Sequence, residues 1–313
     1  MHLGYSDGDD HLDFKELHYI TCIARNQNLT KASQELYISQ PSLSKFLHNL
    51  EHNMGTKLFD RLGNKFVLTY AGERYMEYAE RILLIKKDLD DEMNDISALR
   101  DGRLNIAFPQ TRCAYMAPAI LPEFQRAYPN IKVNLFEASS NELEKLLLDG
   151  KVDIAIFNGP VNHPDLASEI LASEELVLAV SKDHPLANSG KPTKECRYPW
   201  IDLKRFKNEN FILHYPEQRT EQIAMQVFIQ KKMVPHVILR THSTEAAVRL
   251  AASGFGVCFV SENNVKHIAL ETNPVLFSVG SPKTETELLA VYRRGAYLPQ
   301  YAKDYIRIAK SCF

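Results

Sequence analysis

Ser39-Gln40-Pro41-Ser42-Leu43-Ser44-Lys45-Phe46-Leu47-His48-Asn49-Leu50-Glu51 decides the fold of the amino-terminal part of this 313-residue chain. Laid on a helix, Leu43, Phe46, Leu47 and Leu50 fall at i, i+3, i+4 and i+7 and form one apolar stripe. Pro41, Ser44, Lys45 and His48 repeat that spacing on another face, which carries hydroxyl, basic and imidazole groups and no acid. A helix that anchors by one face and offers donors on the other suits a DNA major groove. Ser39 is the expected N-cap, and Pro41 fits the first turn, where a missing N–H costs little.

Upstream, Asp13 precedes Phe14, Leu17, Ile20 and Ala24, a helical pattern ending near Asn26. Thr30 reads as the N-cap of a short second helix, and Tyr37-Ile38 as a tight connection to the third. The order is helix-turn-helix. Downstream, Lys57-Leu58-Phe59 and Phe66-Val67-Leu68-Thr69 read as short strands about the turn Arg61 to Lys65, with Gly63-Asn64 as the hairpin signal. A basic hairpin here is a wing, which would set Arg61 or Lys65 against the backbone or minor groove. The plainer alternatives are solvated helix residues for Gln40, Ser44 and Lys45, and an ion pair with Asp60 or Glu73 for Arg61.

The whole chain has a net charge of −2 and a pI near 6.6, a mild argument against a nucleic-acid partner. The average hides a local excess. From Phe14 to Arg74, eight bases (Lys15, Arg25, Lys31, Lys45, Lys57, Arg61, Lys65, Arg74) face five acids (Glu16, Glu35, Glu51, Asp60, Glu73). An apolar content of 45% with 24% charged residues suits a globular protein, and the length suits two or three domains. Five widely spaced cysteines without a Cys-x-x-Cys argue against a disulfide framework or zinc site. Residues 1–13 show no signal-peptide pattern and no run reaches a membrane span, so the expected location is the cytoplasm. Residues 1–12, acidic and glycine-containing, read as a disordered extension.

Residues 13–70 form the expected DNA-binding domain and 71–101 a linker helix. Tyr78, Ile82, Ile85, Leu89, Glu92, Ile96 and Leu99 are spaced 4, 3, 4, 3, 4, 3, a heptad seam with one charged member. It suits either pairing with a second copy or packing on its own domain. After Gly102 the rhythm changes to β-α-β-α-β: strands at Leu104–Phe108, Ile131–Phe136 and Val152–Phe157, helices from Met116 to Ala127 and from Ser140 to Asp149. A second set begins at strand Leu176–Ser181. The fold class is therefore α/β multidomain: a winged helix-turn-helix, a long linker helix, then two α/β lobes with a ligand cleft between them. Lobe I takes about 102–174 and 276–313, and lobe II about 175–275.

Several stretches together resemble LysR-type transcriptional regulators. They are Asn28-Leu29-Thr30-Lys31-Ala32-Ser33, Leu36-x-Ile38-Ser39-Gln40-Pro41-Ser42-Leu43-Ser44, Leu50-Glu51, Leu58-Phe59-Asp60-Arg61 and Leu68-Thr69-x-Ala71-Gly72. Tyr128-Pro129, Leu148-x-Gly150-x-Val152-Asp153-Ile154, Asp183-His184-Pro185-Leu186 and Gly254-Phe255-Gly256-Val257 continue the resemblance into the effector domain. It implies lobes of the periplasmic-binding-protein type and a homotetramer (or dimer) that binds promoter DNA. It also implies that transcription, through RNA polymerase, responds to a small molecule. By resemblance Gln40, Pro41, Ser42, Ser44 and Lys45 face the major groove, Arg61 approaches the minor groove, and Thr30 and Thr69 contact phosphates. Lys45 stands where Arg is common, and it lacks the fork that reads guanine bidentately.

By the same resemblance the effector site draws on loops after four strands: Gln110, Thr111 and Arg112; Ser139 and Ser140; His214 and Tyr215; and Thr241 to Ser243. Helix N-termini there point N–H groups at an anion, and Arg112 and Arg219 would reinforce it, so a small carboxylate is the expected effector. The plain alternative is that these hydroxyls only cap helices. Neither cofactor nor metal is expected, and no enzyme: Gly254-x-Gly256 lacks the dinucleotide fingerprint and no Gly-x-Ser-x-Gly elbow occurs. A solute receptor whose first helices serve protein contact is the competing reading.

Overall fold

A computed structural model describes residues 13–63, 65–96 and 102–313, with the side chains of 94–96 left aside. The expected disordered extension, Asn64 of the hairpin turn and Leu99 of the seam lie outside the described residues. The chain divides into two compact units, the first ending at Asp91 and the second beginning at Glu92. No helix among the described residues is long and apolar enough to cross a membrane.

In the first unit the apolar periodicities yield α1 (Phe14–Asn26), α2 (Leu29–Glu35) and α3 (Gln40–Met54). Leu43 and Leu47 of the α3 stripe are buried with Ile20, Ile23, Ala32 and Leu58, and Phe46 and Leu50 pack against that cluster. Ser39 caps α3, its hydroxyl accepting from Ser42 N at 3.2 Å, with Pro41 in the first turn. The expected cap of α2 is corrected: Asn28, not Thr30, accepts from Lys31 N at 3.0 Å. An N-cap oxygen must stand just outside the helix, and Thr30 is already inside it.

The wing is β1 (Phe59–Leu62) and β2 (Lys65–Leu68), an antiparallel pair with Leu62 opposite Lys65 and Gly63 at φ 61. The first strand starts later than expected. Glu51 Oε1 accepts the amides of Leu58 (2.8 Å) and Phe59 (3.1 Å), so α3 holds the chain where it enters the strand. Arg61 and Lys65 therefore stand in the strands beside the turn. Helix α4 (Tyr70–Ile96) follows. An added Cβ on its Gly72 would lie 2.0 Å from Leu58 O, so α4 starts in close backbone contact with the residue that leads into the wing. Along the seam, Tyr78, Ile85 and Leu89 are 52, 68 and 53% exposed, and Ile82 is half-buried.

The second unit begins with β3 (Gly102–Phe108), α5 (Gln110–Ala127), β4 (Ile131–Glu137), α6 (Ser140–Leu148) and β5 (Ile154–Asn158). It continues through β6 (Leu166–Val180), a 3-10 turn at Leu203–Phe206, β7 (Asn210–Leu213), α7 (Arg219–Gln230), β8 (His236–Arg240), α8 (Thr244–Ala252), β9 (Val257–Ser261) and α9 (Glu262–Lys266). Strands β10 (Val275–Ser278) and β11 (Glu285–Arg293) and helix α10 (Gln300–Cys312) complete it. Nine strands form one sheet in the order β4-β3-β5-β11-β6-β9-β7-β8, with β10 beside β6. The expected parallel pairing holds for β3 with β4 and β5, and for β7 with β8 and β9. Strands β6, β10 and β11 pair antiparallel, which the sequence reading did not foresee.

Two starts are corrected. Helix α5 opens at Gln110, not Met116, because its buried stripe already includes Cys113 ahead of Met116, Ile120 and Phe124. Strand β6 opens at Leu166, not Leu176, and passes from lobe I, where it pairs β11, to lobe II, where it pairs β9 and β10. Its first ten residues include Ser168, Glu169, Ser173, Glu174 and Glu175, a polar content that masks a strand. In lobe I, α5 and α10 cover one face of the sheet through Met116, Ile120, Phe124 and Tyr305, and α6 covers the other through Leu143 and Leu147. In lobe II, Phe211, Phe228 and Phe259 fill one side and Ala247, Val248 and Cys258 the other.

Candidate DNA interface and effector cleft

The first unit presents Gln40, Pro41, Ser42 and Lys45 exposed on the first turns of α3, with Ser44 half-buried and Thr30 exposed on α2. Ser39 and Ser42 hydroxyls lie 2.7 Å apart, so Ser42 is partly committed to the cap. Lys45 and Lys65 are exposed and make no ion pair with a described residue. Arg61 is exposed too. Its Nε donates to Gly63 O at 3.2 Å, and it pairs with neither Asp60 nor Glu73. Three cations thus remain available to a polyanion. Thr69 is corrected: its hydroxyl donates to Lys57 O at 2.6 Å and accepts from Gly72 N at 3.0 Å. That hydroxyl starts α4 and has no proton left for a phosphate. Glu51 and Gly72, which brace the wing, were visible only as parts of the family signature.

In the second unit a cavity of about 590 Å³ lies between the lobes. Gln110, Thr111 and Arg112 line it from the first turn of α5, and Ser139 and Ser140 from the start of α6. Lobe II adds Gln218, Arg219 and Thr220 from the start of α7, with His242 and Thr244. Arg219 and His242 were expected there; Gln218, Thr220 and Thr244 were missed, because Gln218 and Thr220 belong to no cap pattern. His214, Tyr215 and Thr241 do not line the cavity, a correction with three local causes. His214 is 1% exposed, its ring 3.4 Å from Thr244 Oγ1. Tyr215 stacks on His242 at 4.1 Å. Thr241 Oγ1 accepts from Ser243 N at 3.1 Å. Burial, with a smaller push from His242, pulls the His214 pKa down to about 4, which keeps the ring neutral.

Arg112 is corrected as an anion receptor. It is 3% exposed and grips Glu174 with Nη1 at 2.8 Å and Nη2 at 2.6 Å. Nε donates to Asn158 Oδ1 at 3.2 Å and Nη1 to Tyr115 OH at 2.7 Å. Burial opposes the Glu174 charge, but Arg112 and the donors Ser261 and Asn263 hold its pKa down at about 2. The guanidinium is therefore neutralised. It acts as a strut among α5, β5, β6 and the start of α9.

Arg219 differs. It is 8% exposed; among the described residues its one carboxylate partner is Glu144 at 3.3 Å, and its buried Nε has no partner. Burial lowers its pKa, and Glu144 only partly offsets that. Helix α7 has no side-chain cap at Gln218, and α5 has none at Pro109. By contrast α6 carries a capping box between Ser139 and Glu142, and Ser243 caps α8. Two uncapped N-termini and Arg219 thus sit at one cavity, which Glu137, Glu142 and Glu217 also line.

The family profile described as "LysR substrate binding domain" matches residues 97–312. The one described as "Bacterial regulatory helix-turn-helix protein, lysR family" matches residues 14–73. The chain is 30% identical over 300 residues to the uncharacterized HTH-type transcriptional regulator YwbI of Bacillus subtilis, covering 96% of each. It is 31% identical over 269 residues to a probable RuBisCO transcriptional regulator of Thalassiosira pseudonana, covering 84% of this chain and 85% of the relative. Full-length CbnR complexed with its target DNA superposes with a TM-score of 0.61 at 21% identity, covering 96% of this chain and 100% of that one. A cysteine variant of full-length OxyR from Pseudomonas aeruginosa gives 0.68 at 19% identity, covering 96% and 94%.

Proposed function

We propose, for a chain that belongs to the LysR family of transcriptional regulators, that α3 reads promoter bases while the cleft of the second unit senses a small anionic metabolite. The regulator is not an enzyme, as its family is not. In our reading Gln40, Ser44 and Lys45 reach the major groove, Arg61 and Lys65 reach the minor groove or backbone, and Thr30 reaches a phosphate. The α4 seam pairs with a second copy and so spaces two recognition helices on half-sites. Contact with RNA polymerase at the promoter would carry the signal onward.

The observation that carries the anionic effector is the unpartnered, buried Arg219 Nε at an uncapped helix start. A carboxylate there would satisfy it together with the free N–H groups of α7. The three glutamates that line the cavity favour a ligand whose other end bears donors, as in a hydroxy- or amino-carboxylate. A ligand that prefers one lobe arrangement shifts the regulator toward it by its difference in affinity.

Thermal melts of the full chain against a panel of small carboxylates test this. A ligand at 100 times its Kd adds about 2.7 kcal/mol of stability. Arg219→Met is expected to abolish that rise, and Thr111→Ala to reduce it. A carboxylate that stabilises Arg219→Met and wild type equally would remove the proposed anchor.

A further inference from the structure

The turn between α2 and α3 carries a tyrosine where a helix end of this geometry favours glycine. Ile38 N donates to Ser33 O at 3.0 Å and Tyr37 N to Gln34 O at 3.2 Å, the paired bonds of a Schellman ending. Tyr37 holds the left-handed position with φ 54. Glycine adopts that conformation freely and asparagine tolerates it, whereas a bulky aromatic residue is strained there. Yet Tyr37 adds little to the fold in return. Its side chain is 96% exposed, while the next residue, Ile38, packs on the core.

Tyr37 stands two residues ahead of the Ser39 cap, so its Cα is within about 7 Å of the start of α3. When the first turns of a recognition helix enter the major groove, the preceding turn lies near the groove wall, where the phosphates run. We propose that Tyr37 is a DNA-contacting residue whose hydroxyl donates to a backbone phosphate beside the bases read by α3. The inference rests on the reading of α3 given above. Tyrosine hydroxyls are regular phosphate donors, and such contacts fix register without carrying sequence information. The hydroxyl is neutral and releases no counterion. Its loss therefore leaves the salt slope of binding unchanged, whereas loss of a phosphate-bound lysine lowers it by about 1.

The test uses the full-length chain and a duplex that the wild type enriches from a random-sequence pool. Tyr37→Phe is expected to bind it about fivefold to tenfold more weakly, with the same base preference and the same salt slope. Tyr37→Asn should weaken binding as much while raising the melting temperature, because asparagine suits the left-handed turn. Binding of Tyr37→Phe within twofold of wild type would overturn the hydroxyl contact, whatever Tyr37→Asn does. A lower melting temperature in Tyr37→Asn would mark a structural role and overturn it too. Wild-type affinity in Gln40→Ala beside weakened Tyr37→Phe would instead count against α3 as the reader and leave the Tyr37 contact standing.

Discussion

Arg112→Met is expected to destabilise the second unit by about 3–5 kcal/mol, the cost of leaving a buried carboxylate without its partner. Glu174 is 1% exposed and, among the described residues, keeps Ser261, Asn263 and Asn158 as donors once the guanidinium is gone. In a unit of this size that corresponds to a melting temperature lower by roughly 6–20 °C. The double variant Arg112→Met/Glu174→Leu should recover most of the loss, because two apolar groups need no compensation. Urea titration followed by the single tryptophan, Trp200, reads both effects. A single variant within 1 kcal/mol of wild type would show that the pair is not the strut described above.

Acid should weaken the same unit, and His214 accounts for the first part of the loss. The unfolded ring protonates near pH 6.5, whereas burial holds the folded ring neutral down to about pH 4. Below pH 6.5 the unfolded state therefore binds more protons, and stability falls as pH falls toward 4. The shift corresponds to about 3 kcal/mol over that window. Glu174 acts lower down. Its folded pKa is depressed to about 2, so its contribution is complete above the ordinary carboxylate value of 4.5 and is lost as pH falls toward 2. His214→Leu should flatten the upper window and leave the lower one in place. An unchanged slope between pH 6.5 and 4 in that variant would assign the acid loss elsewhere.

Local chemistry made much of this fold legible in the sequence. The stripe of Leu43 and Leu47, the Ser39 cap and the Gly63 turn each act within a few residues, and each is found where the pattern put it. Partnerships distant in sequence were not legible. Glu51 holds the entry to the wing strand across seven residues, and Arg112 meets Glu174 across sixty-two. Nothing near Arg112 in the chain reveals that its charge is already matched, so it read as a free anion receptor. Nothing near Arg219 reveals that one of its nitrogens is left over. His214 read as a cleft residue because it follows a strand, yet burial beneath Thr244 withdraws it.

The central claim, that α3 reads DNA bases, is tested most directly by a mobility-shift titration of the full-length Gln40→Ala/Lys45→Ala variant. Both side chains are exposed and absent from the core, so the fold should survive with an unchanged melting temperature. Each lost base contact is worth about 1–3 kcal/mol of discrimination. The expected result is loss of preference for the wild-type duplex over a scrambled one, with salt-sensitive residual binding through the remaining cations. Wild-type affinity and wild-type preference in that variant would contradict the account.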